Sequence, residues 1–277
     1  MTDENRIEGF GSLDEFGTDS DITATDIATD TIDDTQPSLA QLDVYADIVY
    51  CLDLTYSMKP IINKVKETAL TLHQELQRVM SQNYQREIKQ LRIKVVGFRD
   101  FYCDGEYALE TSRFFYLPDE AEEFKAFVDG LEAKGGGDIP ENSLEALALA
   151  MQSDWCTTID SSIRKRHIIV MFTDASAHPL EKAAGYTGTN YPADMPKSYS
   201  ELIDWWCGQG SLASSGKAVT MDQVAKRFAL YAPEGSEPWT NLADDFDNSI
   251  TNFIEPNKGG ADITATGLIK MLSETMA

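Results

Sequence analysis

Basic residues, cysteine, histidine and long apolar runs are all scarce in this sequence, and each shortage removes a class of function. Only 23 Lys and Arg stand against 46 Asp and Glu in 277 residues, a formal net charge of −23. A chain this acidic repels a phosphate backbone, which argues against electrostatically driven nucleic-acid binding and favours cations or basic partners. The 4 cysteines, Cys51, Cys103, Cys156 and Cys207, form no C-x-x-C pair, so neither a zinc site nor a disulfide framework is indicated and reduced, mostly buried thiols are expected. The N-terminus, Met1 to Arg6, lacks the basic start and apolar block of a secretory signal, and no apolar run is long enough to span a bilayer. A cytoplasmic location is the expectation.

What the chain does contain falls into two parts. Residues 1–43 carry 12 acidic side chains against the single Arg6 and too few large apolar residues to pack, the composition of a disordered tail. Its Thr/Asp-rich run from Asp21 to Asp34 reads as a solubilising leader. It also reads as a phosphorylation tail, because Thr18, Thr23 and Thr31 each precede an Asp by three residues and a phosphate there would dock on an Arg cluster. Residues 44–277 have the 42% hydrophobic content and length for one sizeable core.

The pivotal stretch is Ala46 to Pro60. Ile48 to Leu52 is a short apolar run and reads as a buried strand, followed by a helix from Pro60 whose apolar positions Ile61, Val65, Leu72, Leu76 and Val79 predict about six continuous turns. At the join, Asp53, Thr55 and Ser57 can converge just beyond the strand's carboxyl end, where open α/β sheets bind ligands. Such oxygen-only ligands suit a hard divalent cation. A second strand covers Leu91 to Phe98 and runs into Arg99-Asp100. A third, at about Ala108 to Leu117, follows so closely that the pair must be an antiparallel hairpin.

Pro118-Asp119-Glu120 opens a helix with Phe124, Phe127, Val128 and Leu131 inward, and another helix carries Leu144, Leu147, Ala148, Met151 and Trp155. Between them lies Gly135-Gly136-Gly137-Asp138-Ile139-Pro140-Glu141, either a backbone cradle for an ion or a tight turn with Asp138 as helix N-cap. Arg166 to Ser176 reads as a buried parallel strand on which Asp174 holds the position Asp53 holds on the first. If those strands are neighbours, the carboxylates repel unless a cation sits between them. His73 reads as a helix-surface residue, and His167 and His178 flank the Asp174 strand at opposite ends. Two shorter strands, Lys226 to Pro233 and Ser249 to Pro256, and a helix from Ile263 to Met276 complete the chain. The segment from Pro179 to Val219 is either an elaborated surface helix, Ser200 to Cys207, packing Trp205-Trp206 on the body, or an exposed partner site.

These motifs resemble the von Willebrand factor type A (vWA) family with its metal-ion-dependent adhesion site. The family's D-x-S-x-S motif stands here as Asp53-Leu54-Thr55-Tyr56-Ser57, with Thr keeping the hydroxyl, and its later Asp matches Asp174. The family's middle ligand is usually a Thr; the G-G-G-D-x-P-E loop has none, and Asp138 is the candidate substitute. This loop, with Phe98-Arg99-Asp100-Phe101, is similar to the branch found in intracellular proteins and beside α-type protein kinases; Asp100 is a further acidic residue expected near the site. The resemblance implies an α/β, doubly wound, Rossmann-like three-layer fold over 44–277, with a six-stranded, mostly parallel sheet in order 3-2-1-4-5-6 and one antiparallel edge strand.

It also implies a function: a metal-dependent protein-interaction module without enzymatic activity. Asp53, Thr55, Ser57, Asp138 and Asp174 would bind Mg²⁺, or Mn²⁺ or Ca²⁺, and leave one position for an exposed Asp or Glu of a partner. The partner expected is a protein in regulatory scaffolding, with a Ser/Thr kinase, a phosphatase or a phosphothreonine-binding protein as candidates. The alternative is a Mg²⁺-dependent phosphohydrolase of the haloacid-dehalogenase type. Against it, Thr55 stands where such enzymes carry their acid/base Asp, and a hydroxyl cannot do that proton transfer. An NTPase is disfavoured because no G-x-x-x-x-G-K-[ST] loop is present.

Overall fold

The computed structural model describes residues 42–136, 139–186, 190–210 and 221–277; the leader, with Thr18, Thr23 and Thr31, and the pair Gly137-Asp138 lie outside them. The central strands explain their own composition. β1 (Asp43–Asp53) is flanked by β2 (Ile88–Phe98) and β5 (Ile163–Phe172), both parallel to it. Covered on both faces, β1 needs apolar side chains at consecutive positions rather than alternate ones. β6 (Lys226–Pro233) and β7 (Ser249–Ile254) extend the sheet in parallel beyond β5.

The antiparallel edge is broken in two. β3 (Leu109–Thr111) and β4 (Phe115–Leu117) both pair with β2, which makes seven strands rather than the six expected, in the order β3-β2-β1-β5-β6-β7 with β4 also on β2. Phe98 faces Leu109 and Ile93 faces Phe115, so five steps along β2 match six on the edge, and one residue bulges out. Ser112 sits at the break, where its hydroxyl accepts the Val95 N–H at 2.9 Å.

Helices cover both faces. α1 (Lys59–Thr68), α2 (Leu72–Tyr84), α3 (Ala121–Gly130) and α7 (Ala265–Met276) bury Ile61, Leu76, Phe124 and Leu272 against Ala46, Ile48 and Val170. α4 (Ser143–Met151), α5 (Tyr199–Trp206) and α6 (Trp239–Asp245) bury Leu147, Trp205, Trp206 and Trp239 against Val49, Cys51 and Met171. The chain is therefore a three-layer α/β fold, and the tryptophan pair packs inward as the surface-helix reading required.

Three further expectations are corrected. The continuous helix after β1 is two helices: the Thr68 hydroxyl bonds back to Lys64 O at 2.9 Å, a contact that bends helices, and the chain turns at Leu70 and Thr71 before α2. Asp138 is not the N-cap of α4, which starts at Ser143 with Asn142 in the cap position. Cys103 and Cys207 are exposed, and only Cys51 is fully buried. α6 carried no sequence signal read in advance. Among the described residues no helix is long and apolar enough to cross a membrane.

Candidate metal centre

Register alone brings the two key carboxylates together. Leu52 pairs with Phe172, so the ends of β1 and β5 lie side by side and deliver Asp53 and Thr173-Asp174 to one edge of the sheet. Beyond Asp53 the chain leaves β1 in extended geometry at Thr55 (φ −68°, ψ 161°) and winds one 3₁₀ turn through Tyr56–Met58, which turns Ser57 back over the strand ends.

The result is a continuous chain of oxygens. Asp53 Oδ1 accepts both the Thr55 N–H (2.9 Å) and the Thr55 hydroxyl (2.6 Å). Thr55 Oγ1 lies 3.4 Å from Ser57 Oγ, and the Ser57 hydroxyl donates to Asp174 Oδ1 at 2.9 Å. Four of the five residues expected from sequence thus meet around one point; the fifth, Asp138, falls outside the described residues. Thr55, Ser57 and Asp174 line an open cleft of about 790 Å³ with Lys59, Ile139 and Glu141, and Asp53 lies buried behind them.

The carboxylates suit a cation. Asp53 is 0% and Asp174 2% exposed, and among the described residues neither pairs with a Lys, Arg or His. Burial, with Asp174 adding to it, pushes the Asp53 carboxyl up to about 6 despite its three hydrogen bonds from Thr55 and Thr173. Two buried carboxylates and two hydroxyls are a hard, all-oxygen donor set of the kind Mg²⁺ takes, and a cation would relieve the repulsion that raises Asp53. Among the described residues no three His, Cys, Asp or Glu side chains cluster as a metal site; the oxygens gathered here are two carboxylates and two hydroxyls.

Three supporting residues escaped the sequence reading. Thr173 donates its hydroxyl to Asp53 Oδ2 at 2.8 Å, and its place opposite Asp53 could have been found by aligning the two strand ends. The Gly259 N–H donates to Asp174 Oδ2 at 2.8 Å. Gly259 has φ +56°, and a Cβ there would lie 2.0 Å from Ser57 O, so only glycine fits; the Gly259-Gly260 doublet was the available signal. Arg99, wholly buried, donates from Nε to Leu54 O (3.2 Å) and Lys134 O (3.0 Å) and from Nη2 to Glu132 O (2.7 Å). It ties the loop carrying Thr55 to the one entering the glycine run.

Asp100 does not join the site. Its carboxylate accepts the Tyr102 N–H at 2.7 Å and lies 3.2 Å from His178 Nε2, so it braces the loop after β5 against the end of β2. His73 is a part-buried residue on α2, and His167 does not flank the strand as expected but lies buried in the middle of β5, stacked on Trp155.

The family match agrees with this construction. A family model described as von Willebrand factor A domain matches residues 47–185, half of the chain. Similar solved structures include a von Willebrand factor type A protein from Catenulispora acidiphila, 12% identical, with a TM-score of 0.46 over 84% of this chain and 43% of that one. The pilus adhesin SpaC from Lactobacillus rhamnosus GG is 11% identical, with a TM-score of 0.44 over 85% of this chain and 31% of its own. Proximal thread matrix protein 1 from the mussel byssus, in a form with a zinc-occupied MIDAS motif, is 13% identical, with a TM-score of 0.42 over 85% of this chain and 48% of its own. The chain thus spans less than half the length of these structures. No curated protein matches it in sequence. With a family match over half its length and the family's aspartate and hydroxyl motif assembled at one sheet edge, the chain belongs to the von Willebrand factor A domain family.

Proposed function

We propose that this chain is a metal-dependent protein-interaction module in which Asp53, Thr55, Ser57 and Asp174, with Asp138 as a further donor, hold a divalent cation such as Mg²⁺. The observation that carries this reading is two hydrogen-bonded pairs, Thr55 on Asp53 and Ser57 on Asp174, whose hydroxyl oxygens lie 3.4 Å apart, so that side chains up to 121 residues apart in sequence gather oxygens beside an open cleft. A bound cation of this type supplies a vacant coordination position that an acidic side chain can fill. The protein's own residues do the rest. Thr55 and Ser57 present neutral oxygens, Thr173 and Gly259 hold the two carboxylates in place, and the −23 charge draws cations inward.

The rim supports a protein as the ligand's carrier. Tyr56 and Ile139, 69% and 57% exposed, stand at the mouth of the cleft beside Lys59. Exposed apolar side chains around a charged centre suit a partner surface that places an Asp or Glu between apolar neighbours. Regulatory scaffolding inside the cell, with a kinase or phosphatase as partner, is the finer form of this proposal.

Calorimetry with Mg²⁺ and Mn²⁺ on the wild type and on Ser57→Ala tests the metal site, and partner capture with and without chelator tests its use. Binding unchanged in Ser57→Ala sinks the metal reading. Phosphatase activity lost on Asp53→Asn would replace the module by the phosphohydrolase.

A further inference from the structure

The opposite end of the sheet carries an unusual concentration of positive charge for so acidic a chain. On β5, Arg164 and Arg166 alternate onto one face, and in the parallel register Val44 lies beside Arg164, Ala46 beside Arg166 and Ile168 beside Arg227 of β6. Side chains at paired positions point to the same side. Arg164, Arg166 and Arg227 therefore share the face that α7 covers, at the amino-terminal edge of the sheet, remote from Asp53. Arg86, just before β2, joins them there: its Nη1 and Nη2 of Arg166 both donate to Ala277 O at the end of α7.

That oxygen accounts for only part of the cluster, because among the described residues it meets Arg86 and Arg166 but neither Arg164 nor Arg227. Arg166 is 3% exposed, and its buried Nε has no acceptor among the described residues. Among the described residues Arg227 reaches the backbone carbonyls of Val224 (3.1 Å) and Lys226 (2.6 Å), and neither Arg164 nor Arg227 forms an ion pair. The nearby carboxylates are engaged elsewhere: Asp222 with Lys165 (2.6 Å), and Asp247 with Lys226 (2.8 Å) and the Trp206 indole (2.7 Å). Burial first, and then the other three guanidiniums, push Arg166 down to about 9.

We propose that Arg164, Arg166 and Arg227 form a second ligand site, separate from the metal centre, that takes a phosphoryl group. A dianion with three acceptor oxygens matches several planar forks better than a single carboxylate does. The −23 charge repels polynucleotides and anionic bilayers and leaves free phosphate, or phosphate carried on a peptide, as the source.

The test uses the full chain in chelator, so that no metal can bind phosphate. Inorganic phosphate is titrated at constant ionic strength while the melting temperature and the Arg166 Nε–H NMR resonance are followed. The expected result is a saturable rise in melting temperature with a shift of that resonance, both weakened at least tenfold in Arg164→Ser/Arg227→Ser and kept in Asp53→Ala. If the serine variant does not fold, Arg164→Lys/Arg227→Lys keeps the charge but loses the forks, and weaker binding is again expected. A short phosphothreonine peptide and its unphosphorylated twin separate the sources: tighter binding of the phosphopeptide than of phosphate identifies a peptide carrier, and binding of phosphate alone identifies the free ion. An unsaturable response, an equal response in the arginine variants, or equal binding of the unphosphorylated twin overturns the proposal.

Discussion

Thr173 donates its hydroxyl to Asp53 Oδ2 at 2.8 Å across the junction of β5 and β1. The residue just before Asp174 thus fixes the carboxylate of the other strand, and the two halves of the candidate metal centre are built to hold each other.

Removing that hydroxyl has a defined cost. Thr173→Val keeps the shape and leaves one buried oxygen of Asp53 without its donor, so metal-free stability should fall by about 1–3 kcal/mol. A less rigid Asp53 should also weaken Mg²⁺ by about tenfold. Thermal melting and calorimetry check both.

The raised Asp53 carboxyl makes stability and metal binding oppose each other in pH. Its folded value of about 6 exceeds the ordinary 3.8, so between these values the native state binds more protons than the unfolded one, and stability falls as pH rises from about 4 through about 6. Metal competes with the same proton, so affinity should climb over that range and level above it. Asp53→Asn should remove this pH slope and melt higher than wild type in chelator at pH 8. A parallel pH dependence in the two proteins contradicts the assignment.

Arg99 organises three backbone carbonyls through its planar fork and pairs with Glu110 at 2.9 Å besides. Lys cannot span Leu54, Lys134 and Glu132 carbonyls together, so Arg99→Lys should leave buried acceptors unmet and cost about 2–4 kcal/mol. The measurable signs are an earlier denaturant midpoint at unchanged slope and weaker Mn²⁺ binding as the Thr55 loop loosens.

Gly259→Ala should be more harmful than its size suggests. The added methyl meets the Ser57 carbonyl at 2.0 Å in a left-handed backbone conformation, and relief requires moving either Ser57 or the donor to Asp174. Loss of metal binding with secondary structure retained by circular dichroism is expected; normal binding would show that the loop yields cheaply.

Local chemistry was legible in the sequence because it depends on neighbours a few residues apart. Ile48 to Leu52 had to be a buried strand, and the spacing of Asp53, Thr55 and Ser57 put three oxygens at its end. The hairpin at the sheet edge followed from a short connection. Asp174 could be matched to Asp53 only on condition that their strands were neighbours, since nothing in the spacing of β1 and β5 fixes which strands pair.

Tertiary structure decided what depends on register and on contacts between distant segments. It set β5 beside β1, which made Thr173 and Gly259 part of the site and carried Asp100 away to His178. It showed the break in the helix after β1, where the Thr68 hydroxyl bonds back to Lys64 O and the chain turns through Leu70 and Thr71. It also gathered Arg164, Arg166 and Arg227 on one face, which no linear pattern of charge displays. Sequence determines the strength of local preferences; the summed burial of two core layers selects which of them persist, because that term exceeds any single turn or cap.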